Sequence, residues 1–321
     1  MDILIALTAC SVPGLIFAVL FYRADRYERE PIHFLVLVFL WGTVPSLILS
    51  ELLNPQIISL LAWISRSTVT TLVAPVLEES LKALAIASIF FFARQEFDGV
   101  LDGLVYGGMV GLGFATAENY IYYIDALQNR GWYALFELFI LRGIVFGLSH
   151  AMYSGIVGAG FGMARHTLDT RKRISYIIGG LITAYCIHVI HNLGSQSPGL
   201  GSILSILIAS MGLVIWYISF QLAYKQEKHI LETELLNEID NTLSDYEYKQ
   251  IIESVSRPKI LDDPSHPRRS KRLRLNIELA NRKHRARTIG VHIEEELSED
   301  MLAIRSRITN LQENISGTYN Q

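Results

Sequence analysis

Cysteine is nearly missing from this chain, with two in 321 residues, Cys10 and Cys186, both inside apolar runs. That scarcity excludes a disulfide framework and any CxxC metal site. Charge is also thin: 18% of residues are charged against 50% hydrophobic, which excludes an ordinary soluble composition. No HExxH occurs, so a zincin-type helix is excluded as well. No internal repeat is visible. The start, Met1-Asp2, is acidic and lacks the basic region and small-residue cleavage site of a secretory signal. The first apolar run therefore reads as a retained membrane span.

What is present is a series of apolar runs of about twenty residues, the length needed to cross ~30 Å of hydrocarbon. They fall at 3–22, 32–53, 69–92, 100–123, 134–164, 174–193 and 202–224. The fold class they predict is all-α, a polytopic helical membrane bundle of about seven spans. The stretch Ile57 to Ile64 reads as a short interfacial helix. The 134–164 run is long for one crossing and contains Arg142-Gly143, so a kink or an interfacial start is expected there.

Loop charges orient these spans. One set of loops carries Arg23, Arg26, Arg29, Arg94, Arg165, Arg171, Lys172, Arg173, Lys225 and Lys228; the opposite set carries only Arg66 and Arg130. By the positive-inside rule the N-terminus lies outside and the C-terminus in the cytoplasm.

Composition changes at Lys225. Residues 1–224 read as the membrane domain and 225–321 as a charged cytoplasmic tail, mostly helical and partly disordered. Ile230, Leu231, Leu235, Leu236 and Ile239 have helical spacing, before Pro258, Pro264 and Pro267 break the pattern. A basic block, Arg268 to Arg287, holds one acid, Glu278; an acidic patch, Glu294 to Asp300, and a last helical stretch to Ile315 follow. The block lacks the aromatics that stack on bases, so nucleic acid is not an expected partner. It reads as solvated or facing lipid headgroups, and the tail as a site for a cytoplasmic partner or anionic lipid.

Ionisable groups inside the spans carry the functional signal. A charged side chain at the bilayer centre costs roughly 2.5–3.5 kcal/mol on the insertion scale, so such groups are kept when they pair or act. The third span holds Glu78, Glu79 and Lys82, the fourth Glu118 and Asn119, the fifth Ser149 and His150, and the sixth His188, His191 and Asn192. In alternating directions these residues lie early, late, early and late, roughly 8–14 Å below the outer edge at 1.5 Å per residue. Four antiparallel spans thereby bring them to one level, in the outer half of the bilayer.

Glu78 and Lys82 are four apart and predict a buried ion pair, with Glu79 about 100° away. His188 and Asn192 also share a face. Glycines at 103, 107 and 111, and at 143, 147, 155 and 158, let the fourth and fifth spans approach closely. Two chemistries fit: Glu as general base with His and Asn stabilising an oxyanion, or His and Glu ligating a metal that acidifies water. A cation or proton transporter, or a sensor scaffold, would use the same groups without proteolysis. Quieter readings belong to other residues. His191 reads as a packing histidine, Asp98 and Asp102 as interfacial, Arg142 as snorkelling or paired with Glu137, and Tyr120, Tyr122 and Tyr123 as an aromatic belt. Gly147-Leu148-Ser149-His150 is too short a match to make a serine protease.

Taken in order, Glu78-Glu79-x-x-Lys82, Phe114-x-x-x-Glu118-Asn119, His150 and His188-x-x-x-Asn192 resemble the PrsW family of intramembrane proteases. The loop Asp25 to Pro31 and the glycine-rich stretch Asp98 to Gly113 are similar to that family too. The likeness spans about residues 1–224, and the family is similar in turn to the CAAX prenyl protease and bacteriocin-immunity group. What the resemblance implies is an endopeptidase of the bacterial cytoplasmic membrane, surrounded by membrane lipid. It would act on membrane-anchored protein substrates such as an anti-sigma factor. Glu78 and Glu79 would activate water, Glu118 and His150 would complete the base or ligand set, and His188 and Asn192 would ligate or stabilise the oxyanion. If a divalent metal such as zinc is held, Glu118, His150 and His188 are its expected ligands.

Overall fold

A computed structural model describes residues 1–24, 30–196, 199–239, 241–254, 261, 263–289 and 294–316. Arg26, Arg29, Pro258 and most of the Asp25 to Pro31 loop lie outside the described residues. Among the described residues every element is helical and no strand forms. The chain divides into two compact units, one comprising 1–24, 30–165 and 169–220, the other 25–29, 166–168 and 221–321.

The first unit is the membrane bundle. It opens with α1 (Asp2–Ala24) and α2 (Ile32–Trp41), which runs through a π-helical turn at Gly42–Ser46 into α3 (Leu47–Leu60). The expected separate helix at Ile57 does not form, because α3 continues through it. Next come α4 (Arg66–Phe92) and α5 (Val100–Asn129). The following apolar run is broken as its length suggested: α6 (Trp132–Leu138), a π-helix (Phe139–Val145) and α7 (Ser149–Arg165). Then α8 (Thr170–Ser195) and the 36-residue α9 (Leu200–Leu235) complete the series.

Six segments are long and apolar enough to cross a membrane. Helix α4 is not among them although its 27 residues span ~40 Å, because Glu78, Glu79 and Lys82 interrupt its apolar sequence. The charges that spoil α4 as a span sit at its midpoint.

Local sequence explains where several helices start. Ser65 caps α4 by accepting from the Thr68 amide at 3.1 Å. Asp169 caps α8 through the Arg171 and Lys172 amides. Asp102, expected as a plain interfacial acid, accepts from the Asp98 and Gly99 amides and so caps its own helix. Tight packing of α5 on α7 depends on glycine. A β-carbon at Gly107 would overlap the Ser154 carbonyl, and one at Gly111 would overlap the His150 carbonyl. Tyr123 is buried against Ala6, Cys10 and Leu135, so it belongs to the core and not to an interfacial belt.

The second unit contains the end of α9, α10 (Asp245–Ser254), α11 (Pro267–Ile289) and α12 (Glu294–Ser316). The basic block is not simply solvated. It forms α11, whose Leu273, Ile277 and Ala280 pack with Leu231, Leu235 and Ile251, while Leu275 and Leu279 pack with Ile304 and Ile308. Spacings of three and four residues between the arginines build two apolar stripes on one helix.

Candidate active site

Helix α4 directs Glu79 and Lys82 into the bundle, where they are 1% and 0% exposed. The ion pair forms between these two, Lys82 Nζ lying 2.5 Å from Glu79 Oε1, and not between Lys82 and Glu78 as the four-residue spacing predicted. Both spacings put the partners on one helical face. Lys82 takes the inward one because His150 Nδ1 lies 3.3 Å away and the Phe114 ring centroid 4.4 Å away on that side. Glu79 Oε1 also meets His188 Nδ1 at 2.9 Å, and Glu79 Oε2 accepts from the Ser154 hydroxyl at 3.4 Å. Every oxygen of Glu79 is engaged.

Glu118 on α5 is the second paired acid. Its Oε2 meets Arg142 Nη2 at 2.7 Å and His150 Nε2 at 3.0 Å. Arg142 therefore does not pair with Glu137, which is exposed; the π-helix turns it towards α5.

Glu78 stands apart. Its Oε2 is buried without a hydrogen bond, and its nearest ion-pair neighbour among the described residues is His188 Nε2 at 3.9 Å. The two imidazoles that face this region are 5.1 Å apart, and Tyr153 stacks on His188 at 4.7 Å. Ligand-competent atoms of Glu78, His150 and His188 all lie within 4.8 Å of one another.

This donor set fits a divalent metal. Two imidazoles and one carboxylate form a set that hydrolytic zinc sites use. An orphaned buried carboxylate oxygen is the kind of atom a cation satisfies. With Nδ1 of His188 donating to Glu79, its Nε2 keeps the lone pair that ligation needs, and the carboxylate behind the ring fixes that tautomer. The set differs from the expected Glu118, His150 and His188 at one position. Glu118 is committed to Arg142, and Glu78 is the carboxylate left over.

The model of the PrsW family intramembrane metalloprotease matches residues 30–222, which include all of these groups. The chain belongs to that family. It is 31% identical over 189 residues to Protease PrsW of Geobacillus kaustophilus, covering 58% of this chain and 77% of that protein. It is 30% identical over 185 residues to Protease PrsW of Bacillus subtilis, covering 57% and 78% respectively. Protease PrsW of Clostridioides difficile matches at 28% over 166 residues, or 51% of this chain and 68% of that protein. No solved structure matches the chain. The bundle is thus that of an intramembrane peptidase of the PrsW family.

Five of the six expected site residues, Glu78, Glu79, Glu118, His150 and His188, meet in this PrsW-family site. Asn192 does not join them through any hydrogen bond recorded among the described residues. It lies one turn beyond His188, and its carbonyl accepts from Ser195 and Gln196. His191 rests edge-on against Phe146, centroids 4.7 Å apart, as a packing histidine should. Ser149 has no serine-protease geometry with His150, whose ring nitrogens face Lys82 and Glu118. Sequence reasoning missed Ser154 and Tyr153, and gave Arg142 the wrong partner. Arg142 could have been found as a lone cation in an apolar run. Ser154 carries no such signal, because a serine among small residues is ordinary helix packing.

Proposed function

We propose that this PrsW-family peptidase hydrolyses a peptide bond of a membrane-anchored protein at a centre made by Glu78, His150 and His188. Glu79 and Glu118 stand behind the two histidines and orient them. The observation that carries this reading is the pairing pattern: Lys82 answers Glu79, Arg142 answers Glu118, and Glu78 faces His188 Nε2 with no cation of its own. An uncompensated carboxylate in a bilayer is kept for function.

A divalent metal such as zinc, when bound there, would polarise the scissile carbonyl and lower the pKa of water. Glu78, His150 and His188 would hold it. Glu79 keeps the His188 Nδ1 proton in place, and Lys82 holds the Glu79 charge. If Glu78 acts directly, it takes one proton from water as the water oxygen adds to the carbonyl carbon. It returns that proton to the departing amine as the C–N bond breaks.

The substrate class the family resemblance supports is a single-span protein such as an anti-sigma factor. The loop charges support an N-terminus outside, a cytoplasmic tail and a site reached from the outer half of the bilayer. The test is cleavage of single-span substrates by purified protein in proteoliposomes, with and without a chelator, for wild type and Glu78→Gln. Cleavage lost in the variant supports the reading. An active Glu78→Gln, or residue-dependent cation flux without cleavage, overturns it.

A further inference from the structure

Arg142 is a charge for which the hydrolysis itself assigns no task. It lies within the π-helical segment Phe139–Val145, closed by the Phe146 amide donating to the Leu141 carbonyl at 2.8 Å. Single π-helical turns insert a residue into the helical register and recur at functional positions. Here the turn aims a guanidinium across to α5. Its Nη2 meets Glu118 Oε2 at 2.7 Å, its Nε donates to Asn119 Oδ1 at 3.0 Å, and its plane lies 3.9 Å from the Tyr122 ring centroid. The Asn119 amide reaches back to the Arg142 carbonyl at 3.5 Å. Guanidinium, amide, ring and carboxylate thus lock one another between two elements.

The same Glu118 oxygen is 3.0 Å from His150 Nε2. A carboxylate at Nε2 draws the ring proton there, which leaves the Nδ1 lone pair on the side of Lys82, 3.3 Å away. Without a fixed cation beside it, Glu118 would be a second unbalanced buried acid, free to turn towards Lys82 or the reacting centre.

We propose that Arg142 is a positioning residue of the peptidase: it clamps Glu118 so that Glu118 holds His150 in one orientation and one tautomer. The inference rests on the reading above that His150 belongs to the reacting centre. Arg142 touches neither of the other two members of that centre, so its effect travels through Glu118 alone.

The experiment is a double-mutant cycle in the full-length protein in proteoliposomes, scoring kcat and KM on a single-span substrate. Arg142→Met is expected to lower kcat roughly 10- to 100-fold, the range typical of residues behind a ligand, with KM within about twofold. On a Glu118→Gln background the same substitution should cost nothing further, because the group it acts through is already uncharged. Added guanidinium should restore part of the activity of Arg142→Ala, which a mere packing role would not allow. If Arg142→Met does not accumulate as folded protein, Arg142→Lys carries the same cycle, since it loses the Asn119 bond while keeping the charge.

Equal losses on both backgrounds, or a raised KM at unchanged kcat, would overturn the clamp. Glu78→Gln separates the two levels of failure. If it is inactive while the Arg142 variants behave normally, only the clamp fails. If it is fully active, the reacting centre itself is misassigned.

Discussion

Glu238 in the tail unit and Glu78 in the membrane unit are both held out of solvent, and their surroundings differ sharply. Glu238, 1% exposed, meets Lys283 Nζ at 2.9 Å and Arg305 Nη2 at 2.7 Å. Around it Glu247 pairs with Arg272, and Glu234 has Arg287 Nη1 at 3.3 Å. Each of these tail acids has a strong cation. In the membrane unit Glu79 and Glu118 follow that pattern with Lys82 and Arg142, and Glu78 breaks it. Burying a charge costs several kcal/mol unless a partner offsets it, so a balanced network is what a stable unit requires. An imbalance of one carboxylate, beside two histidines, marks the place where the bundle is arranged for chemistry and not for stability.

Removing the odd carboxylate should have the largest effect. Glu78→Gln is expected to reduce cleavage by about 10²–10⁴-fold, as loss of a proton-transferring group does. Its thermal unfolding midpoint should not fall, since no ion pair is broken. A lower midpoint with activity retained would make Glu78 a structural acid like Glu238.

The converse substitution tests the other side of the comparison. Glu238→Ala strands Lys283 and Arg305 and should destabilise the tail unit by roughly 3–5 kcal/mol, read as faster limited proteolysis beyond residue 221 in the full chain. Resistance equal to wild type would show that the tail network is not balanced in the way the distances suggest.

Gly111→Ala should have a smaller effect on both counts. Its new methyl meets the His150 carbonyl, so α5 and α7 must separate slightly. A cost of about 1–3 kcal/mol in stability is expected, with a partial loss of cleavage because His150 moves. Least of all should follow from Lys228→Ala, which breaks a half-exposed pair with Glu232 at 3.5 Å. Such pairs contribute roughly 0–1 kcal/mol, so the unfolding midpoint should be nearly unchanged.

Much of this was legible in the sequence. Apolar runs of spanning length marked the bundle, and the acids and histidines inside them marked the site. Periodicity alone left two choices open, and the structure settled them by direction. Lys82 is three residues from Glu79 and four from Glu78, and both spacings suit a helix. Only the position of His150 and Phe114 on the inner side selects Glu79. Arg142 could not be assigned from spacing at all, because a π-helix changes the register in which side chains emerge. The exchange of Glu118 for Glu78 among the ligand-competent groups follows directly from that missed pair. In the tail, the density of arginine hid the apolar stripes of α11, because the eye counts charge before spacing.

Zinc binding by the purified full-length protein tests the central assignment most directly, measured together with cleavage for wild type, Glu78→Gln and Glu79→Gln. One zinc per chain is expected in wild type, with both zinc and cleavage lost in Glu78→Gln. In Glu79→Gln the zinc should remain, at an affinity weakened about 10- to 100-fold by the loss of the group behind His188. A Glu78→Gln protein that still binds zinc as wild type does and still cleaves would contradict the account.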